Sequence, residues 1–292
     1  MSKSTAFLIL SLALFISGCD FPQIETNSTG PEVTEEIKVV APEADSIHLT
    51  LNFGVGELFL TPGNQQDNLL EGTVTYNIPT LRPNIEITGG DIILQPGESR
   101  INTFPNFNQV KNTWDLRLGT QTMALEIRAG AYQGRFDLGG LALTSLTIND
   151  GAAEVNLDFS SPNPQKMSVF TYKTGASNVN LSQLANANFA SLVFESGAGN
   201  YTLDFSGEFQ RDASAIIRSG MSNLTLVIPQ GITATVQVNE GIANVQFPTG
   251  WSKTGTLYTQ TGSGTSLTIV IEMGAGNLQV ISSPTTNPPA TP

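Results

Sequence analysis

The chain has 292 residues, of which 39% are hydrophobic and 13% are charged, so it is long enough to bury a substantial core in one or two domains. Its formal net charge of -12 repels phosphate backbones, and we therefore expect no nucleic-acid partner. A single cysteine and a single histidine exclude an internal disulfide and a histidine-rich zinc site. The 28 glycines and 16 prolines predict many turns.

Residues 1–18 have the pattern of an export signal. Lys3 supplies a positive charge, the apolar run AFLILSLALFI is too short to span a bilayer as a permanent helix, and small residues precede Cys19. The sequence ISGC that ends at Cys19 resembles the lipobox of bacterial lipoproteins, in which the cysteine receives a diacylglycerol and becomes the mature N-terminus. The resemblance implies that an acylated Cys19 anchors the protein to the bacterial cell membrane, on its extracytoplasmic side. The alternative is an ordinary signal peptide with an incidental cysteine.

The two ends of the mature chain lack a sustained apolar period. Residues 19–45 are acidic and contain prolines, which predicts a disordered tether between the membrane and the folded part. Residues 282–292, SSPTTNPPATP, predict a disordered tail. The folded part is therefore expected between residues 46 and 281.

Residues 46–120 read as β-strands of less regular spacing. SIHLTLNFGVGELFLTPG has the alternation of a diverged first coil, and LLEGTVTYNI and PNIEITGGDIILQPG predict further strands. His48 lies in the first of these runs and is expected to be a solvated strand residue. The segment is expected to form diverged coils or a cap on the edge of the following array, with a separate small sandwich as the alternative.

Residues 121–281 carry an internal repeat centred on glycine. Apolar residues alternate on both sides of each repeated glycine, which predicts two half-buried strands joined at a corner where a side chain would hinder the backbone. The spacings along the series are 21, 24, 22, 23, 21 and 33 residues. The glycines are Gly130, Gly151, Gly175, Gly197, Gly220, Gly241 and Gly274, with a weaker copy at Gly54.

A unit of about 22 residues cannot bury its apolar face alone, so the repeat predicts an all-β fold, a parallel β-solenoid whose coils stack in register. Equivalent residues of stacked coils lie about 4.8 Å apart. Lys173, Glu195 and Arg218 precede consecutive glycines by two residues and would alternate in charge. A hydrogen-bonded amide ladder is predicted at the third position after each glycine, which holds Asn178, Asn200, Asn223, Asn244 and Asn277.

Two features of the repeat bear on function. Asp137, Asp158 and Asp204 each follow a glycine by seven residues and would form an acid-base dyad, a calcium site or, as we favour, a solvated outer column, because the glycine-aspartate pattern of calcium sites is missing. The 33-residue interval contains PTGWSKTGTLYTQTGSGT and predicts a bulge or a protruding hairpin. Trp251 and Tyr258 in this segment are candidates for partner contacts, or they cover the open end of the core.

Two segments carry a family resemblance. GRFDLGGLALTSLTINDGAAEVNLDFSSPN and NANFASLVFESGAGNYTLDFSG resemble the bacterial toast-rack family, which is related to the cell-wall-active antibiotic response proteins and to β-helical "putative adhesins". The resemblance covers roughly residues 46–281. It implies a right-handed β-helix-like domain at the cell envelope, and it brings no catalytic motif.

The sequence contains no dinucleotide-binding glycine motif, no phosphate-binding loop, no nucleophile elbow and no zinc-binding spacing, so we predict no catalytic, cofactor-binding or metal-binding residues. The leading hypothesis is a lipid-anchored, non-enzymatic binding, adhesin-like or scaffold module that presents its wall to an envelope protein or glycan. The alternatives are an envelope-stress sensor or accessory protein and, as a third choice, a polysaccharide-cleaving β-helix enzyme.

Overall fold

The computed structural model describes residues 29–64, 66–97, 109–239 and 244–284, and within these ranges the chain is all-β with no α-helix. The short 3₁₀ turns in these ranges have neither the length nor the apolarity to cross a membrane. The strands are β1 (Val33–Val40), β2 (His48–Pro62), β3 (Asn68–Tyr76), β4 (Pro83–Thr88), β5 (Asp91–Pro96), β6 (Asn112–Leu118), β7 (Met123–Asp137), β8 (Leu143–Asn149), β9 (Ala152–Asp158), β10 (Met167–Ser182), β11 (Phe189–Asp204), β12 (Ala213–Pro229), β13 (Thr233–Val238), β14 (Asn244–Gln246), β15 (Ser252–Thr254), β16 (Leu257–Gln260) and β17 (Ser266–Ser283).

The middle of the molecule is a parallel stack of long strands. β7 pairs with β8 and β9, these pair with β10, and β11 and β12 follow, each parallel to its neighbour. Phe170 lies opposite Leu192, and Leu192 lies opposite Ala215, so equivalent repeat positions face each other as predicted. The apolar positions predicted to point inward across these strands are buried in one continuous core.

The repeated glycines form a column because backbones approach closely at the corner. A Cβ atom at Gly197 would lie 2.6 Å from the carbonyl oxygen of Gly175, a distance that real side chains do not tolerate. The same contact, between 2.4 and 3.0 Å, recurs along the column at Gly130, Gly151, Gly175, Gly220 and Gly274. At Gly54, which ends the column, a Cβ would meet nothing within 4 Å. Close approach to the preceding carbonyl therefore explains the repeated glycine.

A second corner is held by buried amides. Asn163 is 1% exposed, its Oδ1 accepts hydrogen bonds from the amides of Leu143 (3.2 Å) and Gln165 (2.8 Å), and its Nδ2 donates to the carbonyl of Leu143 (2.8 Å). In the next repeat, Asn186 donates to the carbonyl of Phe159 at 2.8 Å. These side chains satisfy backbone groups where the chain turns inside the protein, and such groups are costly to leave unpaired.

The N-terminal strands continue this stack and then end it. β2 pairs in parallel with β7 and, on its other edge, with β5 and β6. β4 is antiparallel to β5, β3 is antiparallel to β6, and β1 is antiparallel to β3. The strands β2 to β6 thus belong to the same sheet as the array, and the alternative of a separate sandwich is wrong.

The predicted tether and tail are both too long. Residues 33–40 lie inside the predicted tether of 19–45 but form β1, because the alternation of VTEEIKVV buries Ile37 and Val39 while β3 pairs with the backbone. β17 extends two residues into the predicted tail, since Ser282 and Ser283 pair with Ile228 and Pro229 of β12. Residues 285–292 of the tail and the predicted signal peptide, with Cys19, lie outside the described residues.

The C-terminal end breaks the order of stacking. β17 lies between β12 on one edge and β13 and β14 on the other, so the last strand in sequence is not the last in space. The 33-residue interval contains the predicted hairpin, formed by β15 and β16, and β16 pairs antiparallel with β13. The expectation that consecutive repeats always stack on each other is therefore wrong at one step, because β12 pairs with β17 and not with β13 or β14. Gly241 itself lies outside the described residues.

Candidate functional site

The predicted amide ladder is present on the outer surface after the glycine corner. Asn200 Nδ2 donates to Asn178 Oδ1 at 2.8 Å, Asn223 Nδ2 donates to Asn200 Oδ1 at 2.9 Å, and Asn277 Nδ2 donates to Asn223 Oδ1 at 2.8 Å. All four side chains are exposed. Asn244 pairs in register with Asn277 and extends the column by one position.

A second polar column runs beside the ladder, two residues further along each strand. It consists of amide and hydroxyl side chains that face each other in register. We call the two columns together the amide face: Asn178, Asn200, Asn223 and Asn277 with Asn156, Asn180, Thr202, Thr225 and Gln279. These nine residues carry no formal charge, and the exposed carboxylate of Glu154, which lies opposite Asn178 in β9, borders the face at one end. Asn200 and Asn223 each use one N–H and one oxygen lone pair within the ladder, so one N–H donor and one acceptor lone pair of each remain for a partner.

The surface before the corner carries the predicted charge alternation. Lys173 Nζ lies 2.8 Å from Glu195 Oε2, and Arg218 lies 3.3 Å from Glu195 and 3.0 Å from Glu272. The neighbouring Lys173 ammonium, joined by Arg218, holds the pKa of the Glu195 carboxyl below its usual range. Glu272, which the sequence analysis did not single out, adds a fourth member. The column therefore balances its own charges, and such exposed pairs contribute little to stability.

The aspartates Asp137, Asp158 and Asp204 serve the turns that follow their strands. Asp137 lies opposite Asp158 and accepts hydrogen bonds from the amide of Gly139 (2.9 Å) and the hydroxyl of Ser160 (2.7 Å). Asp158 accepts a bond from a glutamine amide at 3.1 Å, and Asp204 accepts one from a backbone amide at 2.8 Å. Burial, followed by the charge of Asp137, raises the pKa of Asp158. Within the described residues no ion pair involves these three aspartates.

The aromatic residues of the C-terminal hairpin pack on the end of the core. The ring of Tyr258 stacks on Phe247 at 3.8 Å with an interplanar angle of 4°, and Trp251 lies 5.1 Å from Phe247. Lys253 Nζ is 5.0 Å from the centre of the Tyr258 ring. All three rings are partly buried against the core. Trp251 and Tyr258 thus cover the end of the core, and a role in partner contacts stays a prediction.

A column of polar side chains lies inside the glycine corner, and the sequence did not predict it. Asp150 Oδ2 accepts hydrogen bonds from the hydroxyls of Tyr172 (2.8 Å) and Tyr132 (3.3 Å). Burial raises the pKa of the Asp150 carboxyl and thereby favours its neutral form. At the same position of the next repeats, the hydroxyls of Ser196 and Ser219 are 2.9 Å apart. The signal was available, because the residue before the glycine is polar in four consecutive repeats: Asp150, Thr174, Ser196 and Ser219.

His48 and Cys19 complete the set of residues that the sequence singles out. His48 is exposed, as predicted, and its Nδ1 lies 3.0 Å from Asp91 Oδ1. Across the part of the chain that the structure describes, no three histidine, cysteine, aspartate or glutamate side chains gather as a metal site. Cys19 lies outside the described residues, so its lipidation stays a prediction.

Comparison with known proteins gives one family. No curated protein matches the chain. Similar solved structures include a "putative cell adhesion protein" from Clostridium sporogenes ATCC 15579, with 22% identity, 87% of this chain and 100% of that chain covered, and a TM-score of 0.43. A "putative lipid binding protein" from Parabacteroides distasonis ATCC 8503 has 11% identity, covers 85% of this chain and 97% of its own, and has a TM-score of 0.37. Residues 28–172 match the family model of the N-terminal domain of toast-rack proteins. Across these residues the chain belongs to the toast-rack family.

Proposed function

We propose that the protein is a lipid-anchored, extracytoplasmic β-solenoid with coils of about 22 residues that acts as a non-enzymatic, adhesin-like binding or scaffold module at the cell envelope. The observation that carries this proposal is the amide face. It is an uncharged, repeating surface on a chain whose formal net charge is -12. Membership of the toast-rack family supports an envelope-facing protein.

The amide face suits an extended ligand with repeated polar groups. Its side chains recur about every 4.8 Å along the stack, so a polymer lying along the stack meets the same donors and acceptors many times. The ladder bonds of 2.8 to 2.9 Å already order the asparagines, which lowers the side-chain entropy lost on binding. A glycan of the cell envelope has the hydroxyl groups that these amides would bond.

A matched pair of double variants tests the amide face. Met221→Arg with Gln279→Arg places bulky charges on or beside the face, whereas Ser168→Arg with Thr268→Arg places the same charges on exposed strand positions before the corner. Both variants and the wild-type protein are incubated with the insoluble polysaccharide fraction of the bacterial envelope, and the bound protein is measured. We expect binding to fall at least fivefold for the first variant only. Equal binding by all three proteins, or no binding by the wild type, would refute the proposal.

The anchor is tested separately with Cys19→Ala. Because acylation depends on the thiol, we expect the variant to leave the membrane fraction, while the wild type stays there and partitions into the detergent phase. Mass spectrometry of the wild-type N-terminal peptide should show the added lipid. Unchanged membrane attachment of the variant would contradict acylation of Cys19, but it would not affect the proposal for the amide face.

A further inference from the structure

The N-terminal end of the stack has an edge strand, β1, that pairs on one side only among the described residues. β1 pairs with β3 along one edge, in antiparallel register from Val33 opposite Tyr76 to Val39 opposite Leu70. Among the described residues no strand pairs with its other edge. An open strand edge is a template for pairing with another chain.

The hydrogen bonds of β3 identify which residues of β1 point outward. The bonds from Asn77 N to Lys111 O (3.1 Å) and from Gly119 N to Leu69 O (2.8 Å) show that odd-numbered residues of β3 bond to β6. Its even-numbered residues therefore bond to β1, where their partners are odd-numbered.

The even-numbered residues of β1 consequently direct their N–H and C=O groups away from β3. These residues are Thr34, Glu36, Lys38 and Val40, and their side chains are exposed as well. Val40 is 63% exposed, which is unusual for a strand valine. No backbone hydrogen bond within the described ranges engages the outward groups of this edge.

We propose that the partner of this edge is a second copy of the same chain, with the two β1 strands antiparallel about a two-fold axis at Ile37. In this register Glu36 lies opposite Lys38 of the partner subunit, and Lys38 lies opposite the partner's Glu36. Thr34 lies opposite the partner's Val40. All of these pairs use the outward-pointing groups, so the backbone bonds and the ion pairs form together.

The charges select this register over its neighbours. Antiparallel pairing through the outward groups allows shifts that move the axis by one residue, to Glu36 or to Lys38. An axis at Glu36 places two carboxylates opposite each other, and an axis at Lys38 places two ammonium groups opposite each other. Like charges directly opposite are destabilising, so of these three axes only the one at Ile37 places opposite charges across from each other. This inference is independent of the proposed amide-face function.

Charge-reversal variants test the pairing in the full-length chain. Two differently tagged copies are co-expressed, extracted from membranes with detergent and purified through one tag, and the second tag is quantified. We expect wild-type copies to co-purify, and Glu36→Lys or Lys38→Glu alone to reduce co-purification at least fivefold. When one copy carries Glu36→Lys and the other Lys38→Glu, opposite charges face each other again and co-purification should return to within twofold of wild type.

The mixed pair also separates lost pairing from local damage. Lys38 lies opposite Glu71 on β3, so Lys38→Glu weakens β1 within its own subunit, but such damage would not be rescued by a second damaged copy. Glu43→Lys, the same charge change at an exposed residue outside β1, serves as the control and should match wild type. Absence of wild-type co-purification, insensitivity to the single variants or failure of the mixed pair to recover would each overturn the proposal.

Discussion

The middle of the stack and its two ends follow different rules. From β7 to β12, each residue meets the residue at the same repeat position of the next strand, as Asn178, Asn200 and Asn223 do. At the N-terminal end, β1, β3 and β4 pair antiparallel. At the C-terminal end, β17 is inserted out of sequence order and a hairpin packs beside β13.

The difference shows what an in-register stack requires of its sequence. In the middle of the stack, each residue lies between the residues at the same repeat position of the two neighbouring strands. The corner position is therefore restricted to glycine, and the outer columns are restricted to amides or to alternating charges. At the ends of the stack, a residue has a matching neighbour on one side only, so the restriction no longer applies. The residue before the corner glycine is polar at four successive corners, Asp150, Thr174, Ser196 and Ser219. In β2 it is the buried, apolar Phe53, and among the described residues only β7 pairs with the backbone of β2 at this position.

The largest effect is expected where an added methyl group meets backbone in the middle of the stack. Gly199 has φ of +151°, and a Cβ there would lie 1.8 Å from the carbonyl oxygen of Ser177, so we expect Gly199→Ala to lower the free energy of unfolding by more than about 2 kcal/mol. Gly255 in the terminal hairpin has φ of +61° and open space around it, so Gly255→Ala should cost only about 1 kcal/mol. Urea denaturation measures both. Equal costs would contradict the contrast between the middle and the end.

Substitution of Asp150 tests whether its buried carboxyl lowers the stability of the folded protein at neutral pH. Because burial raises its pKa in the folded state, the folded protein holds the proton more tightly than the unfolded chain. Stability should therefore fall as the pH rises from the ordinary carboxyl pKa of about 4 through the raised folded value. Asp150→Asn removes this loss, so we expect the variant to melt at a higher temperature than the wild type at pH 7 and at a similar temperature at pH 3. A variant that is less stable at pH 7 would show that the carboxylate is favourable where it lies.

The smallest expected effect concerns the amide ladder. Asn200 bonds to asparagines on both sides, whereas Asn277 donates one ladder bond, to Asn223. Since a typical exposed or partly exposed hydrogen bond contributes about 0.5 kcal/mol at the low end of the usual range, Asn200→Ala should cost about 1 kcal/mol and Asn277→Ala about half as much. Thermal unfolding of the two variants gives the comparison. Equal losses would mean that the ladder does not weaken toward its end.

The same contrast between the middle and the ends of the stack explains which parts of the fold the sequence predicted. The glycine column, the asparagine ladder and the Lys173, Glu195 and Arg218 alternation were predicted because in-register stacking converts a repeat in the sequence directly into neighbours in space. The buried Asn163 and Asn186 were missed because they lie in connections whose lengths vary from repeat to repeat, so they have no fixed spacing from the glycines.

The ends were harder for identifiable reasons. β1 was assigned to the tether because its outward residues are mostly charged or polar and the surrounding segment contains prolines, although every second residue near its end is apolar. The position of β17 was not predictable from the repeat, because Gly241 and Gly274 match Gly220 equally well as stacking partners. Only the pairing of β12 with β17 distinguishes them.

The insertion of β17 has a consequence for synthesis of the protein on the ribosome. When β12 emerges, the strand that must pair with it still lies beyond residues 230–265, which take about 2–7 s to translate. During this delay the nascent chain exposes the unpaired edge of β12, and β13 and β14 lack the strand with which they pair. Pairing along β12 therefore waits for a strand that is made after residue 265, and we expect chaperones that shield open strand edges to act on the chain at this stage.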